Sequence, residues 1–589
     1  MFNTEARIDQ LLQFLYGEED GQKTWVQLQK RLSRFRNETR LGSDQLDSHS
    51  SELTEVDAIL ITYGDQINQA GKKPLECLAD FLNSQIKDAV SGVHVLPFFP
   101  YSSDDGFSVI DYHQVDPKLG TWGDLASLSQ DYRLMIDGVI NHISRESGWF
   151  QSFLKGLPPY KDFFITVDPQ ADLSRVVRPR ALPLLTAVQT LEGKKWVWTT
   201  FSEDQIDLDF SNPIVLLAVI DVLLFYISHG ANILRLDAIA YVWKELGTAC
   251  IHLPKTHAVV KLIRAVFDVV APGVLLITET NVPHQENISY FGELLAGTTR
   301  TDEAQMVYQF SLAPLILHTF RTGDASVISR WATQLKTPSP ACTFFNFIAS
   351  HDGIGVRPAE GILSSIEIEA LVSQTLKHGG EVSYKTNSDG TKSAYELNIT
   401  LYDMLNDPAE PNIEMDIRRF LASQVIMLSI EGVPGIYFHS LIGARNCLPC
   451  YQQTGRARSI NRQKLTLEEL NSQLNSPDGH PKLVFEGYLH LLNQRRRCAA
   501  FHPQASQTIL SIDRRVFSVL RTSQEGSAAV LCLINVSEAA VTINLQRAQK
   551  PLPRSNEWAD LISDRVHRFP KGEISLKLEP YQSMWLQPL

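Results

Sequence analysis

One run, Ala231-Asn-Ile-Leu-Arg-Leu-Asp-Ala-Ile-Ala-Tyr241, limits the choice of fold more than any other part of the chain. It has the apolar pattern of a buried strand, yet it carries an arginine and a carboxylate two residues apart. Strand side chains alternate with period two, so Arg235 and Asp237 share one face while Leu234 and Leu236 take the other. Buried charges are costly unless paired, so a structural ion pair closing the strand is one reading and a functional site at the strand end is the other. Other apolar segments end in the same way. They are Leu134-Met-Ile-Asp137-Gly-Val-Ile-Asn141-His142, Leu275-Leu-Ile-Thr-Glu279 and Phe344-Phe-Asn-Phe-Ile-Ala-Ser-His351-Asp352. Carboxylates gathered at the carboxyl ends of several parallel strands are the substance of a barrel active site, which predicts an α/β fold of the (β/α)8 kind.

The spacing along the chain gives the same class. A barrel takes about 250 residues, so 589 leave room for insertions and a further domain. Buried strands are predicted at Ala58–Tyr63, Gly92–Phe98 and Arg133–Ile140, near Ile233, Leu275, Met306 and Phe344, and at Val433–Tyr437, with helix-length segments between them. Residues 1–55 form a helical extension, with apolar positions at Ile8, Leu11, Leu12 and Leu15 and a basic, polar stretch from Lys30 to Ser51. The catalytic barrel spans 56–505, interrupted by insertions at about 144–212 and 353–412 that are expected to cover the site. Short alternating strands from residue 506 to 589 predict a C-terminal all-β, sandwich-like domain. The apolar run Pro213–Ser228 contains Asp221 and is too short to span a bilayer comfortably, so it is read as a barrel helix. Arg495-Arg-Arg497 reads as a basic run solvated on a helix end.

A formal net charge of −12 argues against nucleic acid or an anionic membrane as partner. Seven cysteines without regular spacing read as reduced thiols; Cys447-Leu-Pro-Cys450 is a lone CxxC, and neither a metal nor another cofactor is expected. No basic segment followed by an apolar run opens the sequence, so the expected location is the cytoplasm. A homodimer is left open.

Taken together, Asp137 to His142, Leu234 to Ala238, Glu279, and His351 with Asp352 resemble the four signature regions of the α-amylase superfamily of retaining α-glucosidic enzymes. Ile61–Asp65, Val95–Pro100, Asp104-Asp-Gly-Phe107, Arg178-Pro-Arg180, Ser350–Gly355 and Ile460-Asn-Arg462 narrow the resemblance to its sucrose phosphorylase subgroup. It implies Asp237 as nucleophile, Glu279 as acid/base and Asp352 as a binder of sugar hydroxyls that steadies the oxocarbenium-like transition state. Arg235 would hold Asp237 ionised, and Glu279 must keep its proton until it acts. His142 and His351 match histidines at the glucose hydroxyls, and Tyr241 joins the substrate-binding set. Asp104 and Arg462 match a charged pair that closes the pocket behind one glucose unit. Phe107 is either an apolar platform for the sugar or plain core packing.

A phosphorylase resolves the glucosyl-enzyme with phosphate, which calls for arginine forks and hydroxyl donors. Arg178, Arg180 and Tyr395 lie in segments similar to those that shape the phosphate and acceptor site of the subgroup. Three departures fall on acceptor-side positions: Leu184-Leu185 after the Arg-Pro-Arg stretch, Asn281 beyond the acid/base, and Glu396 after the loop tyrosine. With Arg178–Thr186 and Gly455–Arg462 they look closest to the glucosylglycerate phosphorylases. That resemblance implies small-molecule substrates, namely an α-glucoside, inorganic phosphate and α-glucose 1-phosphate, with Arg357 as a further candidate for a glycerate carboxylate. Glucosylglycerol, sucrose and its phosphate are rival substrates, a hydrolase or transglucosylase is the rival chemistry, and a non-catalytic barrel scaffold is the rival to both.

Overall fold

The structure is a computed structural model that describes residues 4–589 except 39–51, 181, 388–390, 547–551, 554 and 570–572. Eight parallel strands close on themselves: β1 (Ile59–Thr62), β2 (Gly92–Val95), β3 (Arg133–Gly138), β4 (Ala231–Leu236), β5 (Leu275–Thr278), β6 (Met306–Tyr308), β7 (Thr343–Asn346) and β8 (Val433–Tyr437). They follow one another round the barrel in chain order, and β8 pairs with β1. Every apolar strand segment singled out in the sequence is one of these staves. The register sets the chemistry, because Asp137 of β3 lies opposite Arg235 of β4, and Leu236 opposite Thr278 of β5.

Helices pack outside the staves. The helix α3 (Pro213–Ser228) starts where the Asn212 side chain accepts the Ile214 N–H and Pro213 fills the first turn. It is apolar on nearly all sides because it is covered on nearly all sides. Its outer face meets the second helix of the N-terminal pair α1 (Thr4–Tyr16) and α2 (Glu18–Glu38), where Arg31 reaches Asp221 at 2.9 Å, while α1 packs on the helix Pro254–Val270. Gly17, with φ 82°, makes the turn between that pair. Arg7 donates to the Asp302 carbonyl and Tyr16 to that of Phe210, so the extension is fastened to the barrel. The part of the predicted basic stretch at 39–51 lies outside the described residues. Among the described residues, no helix is long and apolar enough to cross a membrane.

The two long connections fold on the carboxyl-end face. Residues 144–212 hold a short helix (Gly148–Leu154) and a hairpin (Leu185–Thr190 with Gly193–Trp198). Residues 353–412 hold a three-stranded antiparallel sheet in which Lys392–Asn398 is central. Beyond residue 505, a six-stranded sheet and a separate two-stranded ribbon enclose their own apolar core around Trp558, Leu531 and Leu586.

Two expectations are corrected. Arg495 is not solvated. It is 2% exposed, and its guanidinium donates to the carbonyls of Leu428, Glu55, Asp57, Gly432 and Phe501. A cluster of carbonyls at the barrel's amino end needs donors, and one buried arginine supplies them. Likewise, not all seven cysteines are free thiols, because Cys447 and Cys450 form a disulfide. Cys447 caps a helix whose first turn holds Cys450, which brings the two Cα atoms to 5.2 Å, within bridging range. The other five are free and buried.

Candidate active site

The site lies where the strands end. Arg235 is 1% exposed and donates through Nη1 to both Asp137 and Asp237 (2.7 Å to Asp237 Oδ1), and through Nε to the Tyr308 hydroxyl at 3.1 Å. His94 closes the other side of Asp137, at 2.6 Å. Burial opposes ionisation of Asp137, but His94 and Arg235 outweigh it and hold that carboxyl below the usual range. The chain then turns sharply. Ala238 takes φ 49°, ψ 30°, a left-handed conformation that costs an alanine roughly 1–2 kcal/mol and directs its N–H onto Glu279 Oε2 at 3.0 Å. That one strained residue ties the end of β4 to the acid that follows β5.

Asp237 and Glu279 face the same cavity with Asp352. Its wall also includes Asp104, Phe107, His142, Arg180, Tyr241, Asn281, Tyr395, Glu396 and Arg458. Burial is the larger influence on Asp237 and lifts its carboxyl, while Arg235 and His142 pull it back. Arg235 thus acts in the expected direction but does not bring Asp237 below the ordinary range. Burial drives Glu279 further, up to about 8, with Asp237 and Asp352 adding to it against the pull of Arg235. Of this pair, the proton at neutral pH belongs on Glu279. Asp352 goes the other way, because Arg458, His351 and Arg462 outweigh its burial.

The neutral rings sit round these acids. Burial keeps His142 uncharged, and its Nε2 lies 2.9 Å from the Phe107 carbonyl and 3.1 Å from Gln205 Nε2. His351 is pushed down to about 3 by burial. Phe107 stacks flat on the His351 ring, 4.9 Å between centroids at 2°, so it both packs and presents a face to the cavity. Both His351 ring nitrogens are buried and, among the described residues, make no hydrogen bond, although Nε2 stands 3.2 Å from Asp352 Oδ2.

The expected pairing of Asp104 with Arg462 is present but shared with other groups. Arg462 hydrogen-bonds Asp105 and lies 4.0 Å from Asp104, whose nearer cations are Arg180 at 3.1 Å and Arg458 at 3.7 Å. Asp104 and Asp105 both have positive φ, 53° and 50°, and turn their carboxylates apart. Gly106 permits this turn, since a Cβ there would meet the Pro97 carbonyl at 2.4 Å. Burial opposes the ionisation of Asp104, yet Arg180, Arg458 and Arg462 together bring it to about 2. Of the arginines expected at the acceptor, Arg180 is on the wall. Arg178 is half-buried away from it, and Arg357 stands behind the wall against Tyr241, with Glu286 3.9 Å away.

Arg458 is the functional residue that sequence reasoning passed over. Its Nη1 reaches Asp352 at 2.7 Å, and its Nη2 and Nε fork onto Glu396 at 2.7–3.2 Å. The signal was present in Arg456-Ala-Arg-Ser-Ile-Asn-Arg462, where Arg458 and Arg462 flank one short stretch of chain that the 3₁₀ turn Ala457–Asn461 folds back on itself.

Residues 85–354 match the family description "Alpha amylase, catalytic domain". The chain is 47% identical to the glucosylglycerate phosphorylase of Spirochaeta thermophila, covering 99% of this chain and 98% of that protein. It belongs to the α-amylase family. Its likeness to the Escherichia coli glucosylglycerate phosphorylase is 43%, over 99% of this chain and 100% of that one. The crystal structure of the sucrose 6F-phosphate phosphorylase from Thermoanaerobacter thermosaccharolyticum superposes with a TM-score of 0.71 at 26% identity, covering 82% of this chain and 95% of that one. This α-amylase-family protein is therefore an enzyme of the sucrose phosphorylase subgroup.

Proposed function

We propose that this enzyme is a retaining α-glucoside phosphorylase that transfers glucose from glucosylglycerate to phosphate. In the first step Asp237 attacks the anomeric carbon while Glu279 gives its proton to the departing glycerate oxygen, leaving a β-glucosyl ester on Asp237. In the second, a phosphate oxygen attacks the same carbon, its proton passes to the Glu279 carboxylate, and Asp237 leaves as α-glucose 1-phosphate forms. Asp352, held ionised by its arginines, binds sugar hydroxyls and faces the positive charge that develops on the ring. His142, the Phe107 face and the His351 ring stacked behind it complete the glucose subsite. Asp104, Asp105 and Arg462 close its far end. On the acceptor side, Tyr241, Asn281 and Tyr395 offer polar groups and Arg180 offers a cation.

The observation that carries the reading is the end-to-end likeness to glucosylglycerate phosphorylases, reinforced by arginines on the acceptor wall suited to a carboxylate and a phosphate in turn. We place the enzyme in the cytoplasm with the charged metabolites it would use. The test is to incubate it with α-glucose 1-phosphate and glycerate, glycerol, fructose or fructose 6-phosphate and to measure released phosphate. Release with glycerate well above the rest is expected; a strong preference for glycerol or fructose would overturn the glycerate assignment.

A further inference from the structure

The acceptor wall holds a carboxylate where an anionic acceptor has to bind. Glu396 projects from the central strand of the 353–412 sheet, opposite Ser383 and Gly355, and is 4% exposed. Among the described residues its one hydrogen-bonding donor is Arg458, which presents the two-nitrogen fork with which arginine receives carboxylates and phosphates. Both residues line the inner cavity, and both also line the vestibule outside it. We propose that the Glu396 carboxylate is an internal stand-in for the substrate's oxyanion on the Arg458 fork, and that incoming phosphate or glycerate displaces it. This rests on the phosphorylase reading and extends it to a residue and an exchange that reading does not contain.

Charge and geometry support the exchange. Arg458 stands among three carboxylates, Asp352, Glu396 and Asp104. A further anion cannot join them without one giving way, since like charges in a poorly solvated site repel strongly. Asp352 has Arg458 at 2.7 Å and Arg462 at 3.7 Å, and Asp104 has Arg180, Arg458 and Arg462 within 4.0 Å, whereas among the described residues Glu396 has Arg458 as its one ion-pair contact, with Arg180 acting on it from further off. Glu396 is also the one of the three whose carboxyl is lifted, burial outweighing the pull of Arg458. It is the partner that yields. A destination exists, because Arg456 and Ser383 line the same vestibule as Glu396, and the strand facing it changes register between Ser383 and Tyr384. Arg180, 3.1 Å from the Asp104 that Arg458 also approaches, gives the arriving oxyanion a second guanidinium.

A self-ligand raises the apparent dissociation constant in inverse proportion to the fraction of time the fork is free, so about a tenfold effect corresponds to a fork free about a tenth of the time. The test is steady-state kinetics of Glu396→Gln and Glu396→Asp, which keep the size or the charge but lose the full-length carboxylate. Each is measured in the wild-type and Arg458→Ala backgrounds, with inorganic phosphate and glycerate as the anions and glycerol as the neutral acceptor. The expected result is a fall of about tenfold in KM for phosphate and glycerate relative to that for glycerol, which the Arg458→Ala background abolishes. A KM for the anions that stays put or rises, or an equal loss of kcat with all acceptors, would overturn the proposal and make Glu396 a plain support for Arg458. If wild-type enzyme fails to use phosphate at all, the phosphorylase reading fails instead, and the two failures are told apart before any variant is made.

Discussion

Replacing Glu279 with glutamine should change both the pH profile and the stability of the enzyme, and the two changes share one cause. Its carboxyl stands at about 8 in the folded protein against an ordinary 4.5, so below pH 4.5 it carries a proton whether the chain is folded or unfolded, and costs nothing. Between 4.5 and about 8 the unfolded chain ionises first, so the folded state binds more protons and stability declines as pH rises. Above about 8 the folded protein must hold the charge as well. The full difference corresponds to about 5 kcal/mol; the open cavity admits water, which reduces the expected effect to a few kcal/mol. Glu279→Gln removes that cost, so urea unfolding of wild type and variant should match near pH 4.5 and diverge in the variant's favour toward pH 9. Taking the difference between the two proteins cancels the titrations of groups that do not feel the Glu279 charge, leaving Glu279 with its coupled neighbours Asp237 and Asp352. The wild-type rate should also fall about tenfold per pH unit above about 8 as the acid loses its proton, and in the variant that limb should vanish. A stability difference that stays flat from pH 4.5 to 9 would refute the buried-acid argument, whatever the rates do.

Asp237→Asn should abolish turnover with native circular dichroism, since an amide cannot form the glucosyl ester, and NMR of the wild-type product should show the α-phosphate; the β-anomer would remove Asp237 as nucleophile. Arg180→Ala should lower the glycerate-to-glycerol rate ratio by about tenfold or more, because the glycerate carboxylate loses a half-buried cationic partner and glycerol does not; an unchanged ratio would take Arg180 off the acceptor. Arg495→Leu, far from the site, should cost at least about 3 kcal/mol in urea unfolding by leaving carbonyls of three separate chain segments unpaired, with kcat/KM of the remaining folded enzyme intact.

The barrel and its acids were legible because each strand is short, apolar and local, and because Arg235, Asp237, Glu279 and Asp352 sit at fixed distances from their strands' ends. What depended on contacts between distant segments was not. Asp104 and Asp105 are neighbours of one type, and nothing in their letters says which meets Arg462; the left-handed turn at Gly106 decides it. Arg495 reads as solvated in a run of three arginines, and only the meeting of residues 55–57, 428–432 and 501 shows why it is buried. Arg178 and Arg180 are two apart on an irregular loop, where no periodicity tells which one reaches the cavity.

That division has a consequence for specificity. The groups we propose to break and form the glucosidic bond stand on or just beyond β4, β5 and β7, where parallel pairing fixes the backbone and the Arg235 network fixes the side chains. The acceptor groups Arg180, Glu396 and Arg458 come from three connections far apart in sequence, joined to the barrel acids chiefly through Asp104 and Asp352. Changes in the connections can therefore alter which nucleophile enters without disturbing the nucleophile already in place. Asp352 is the exception, since it belongs to both sets. Any substitution at Arg458 loosens Asp352 as well as the acceptor wall, and its effect on donor cleavage should exceed that of any substitution at Arg180, which touches Asp104 alone among these acids.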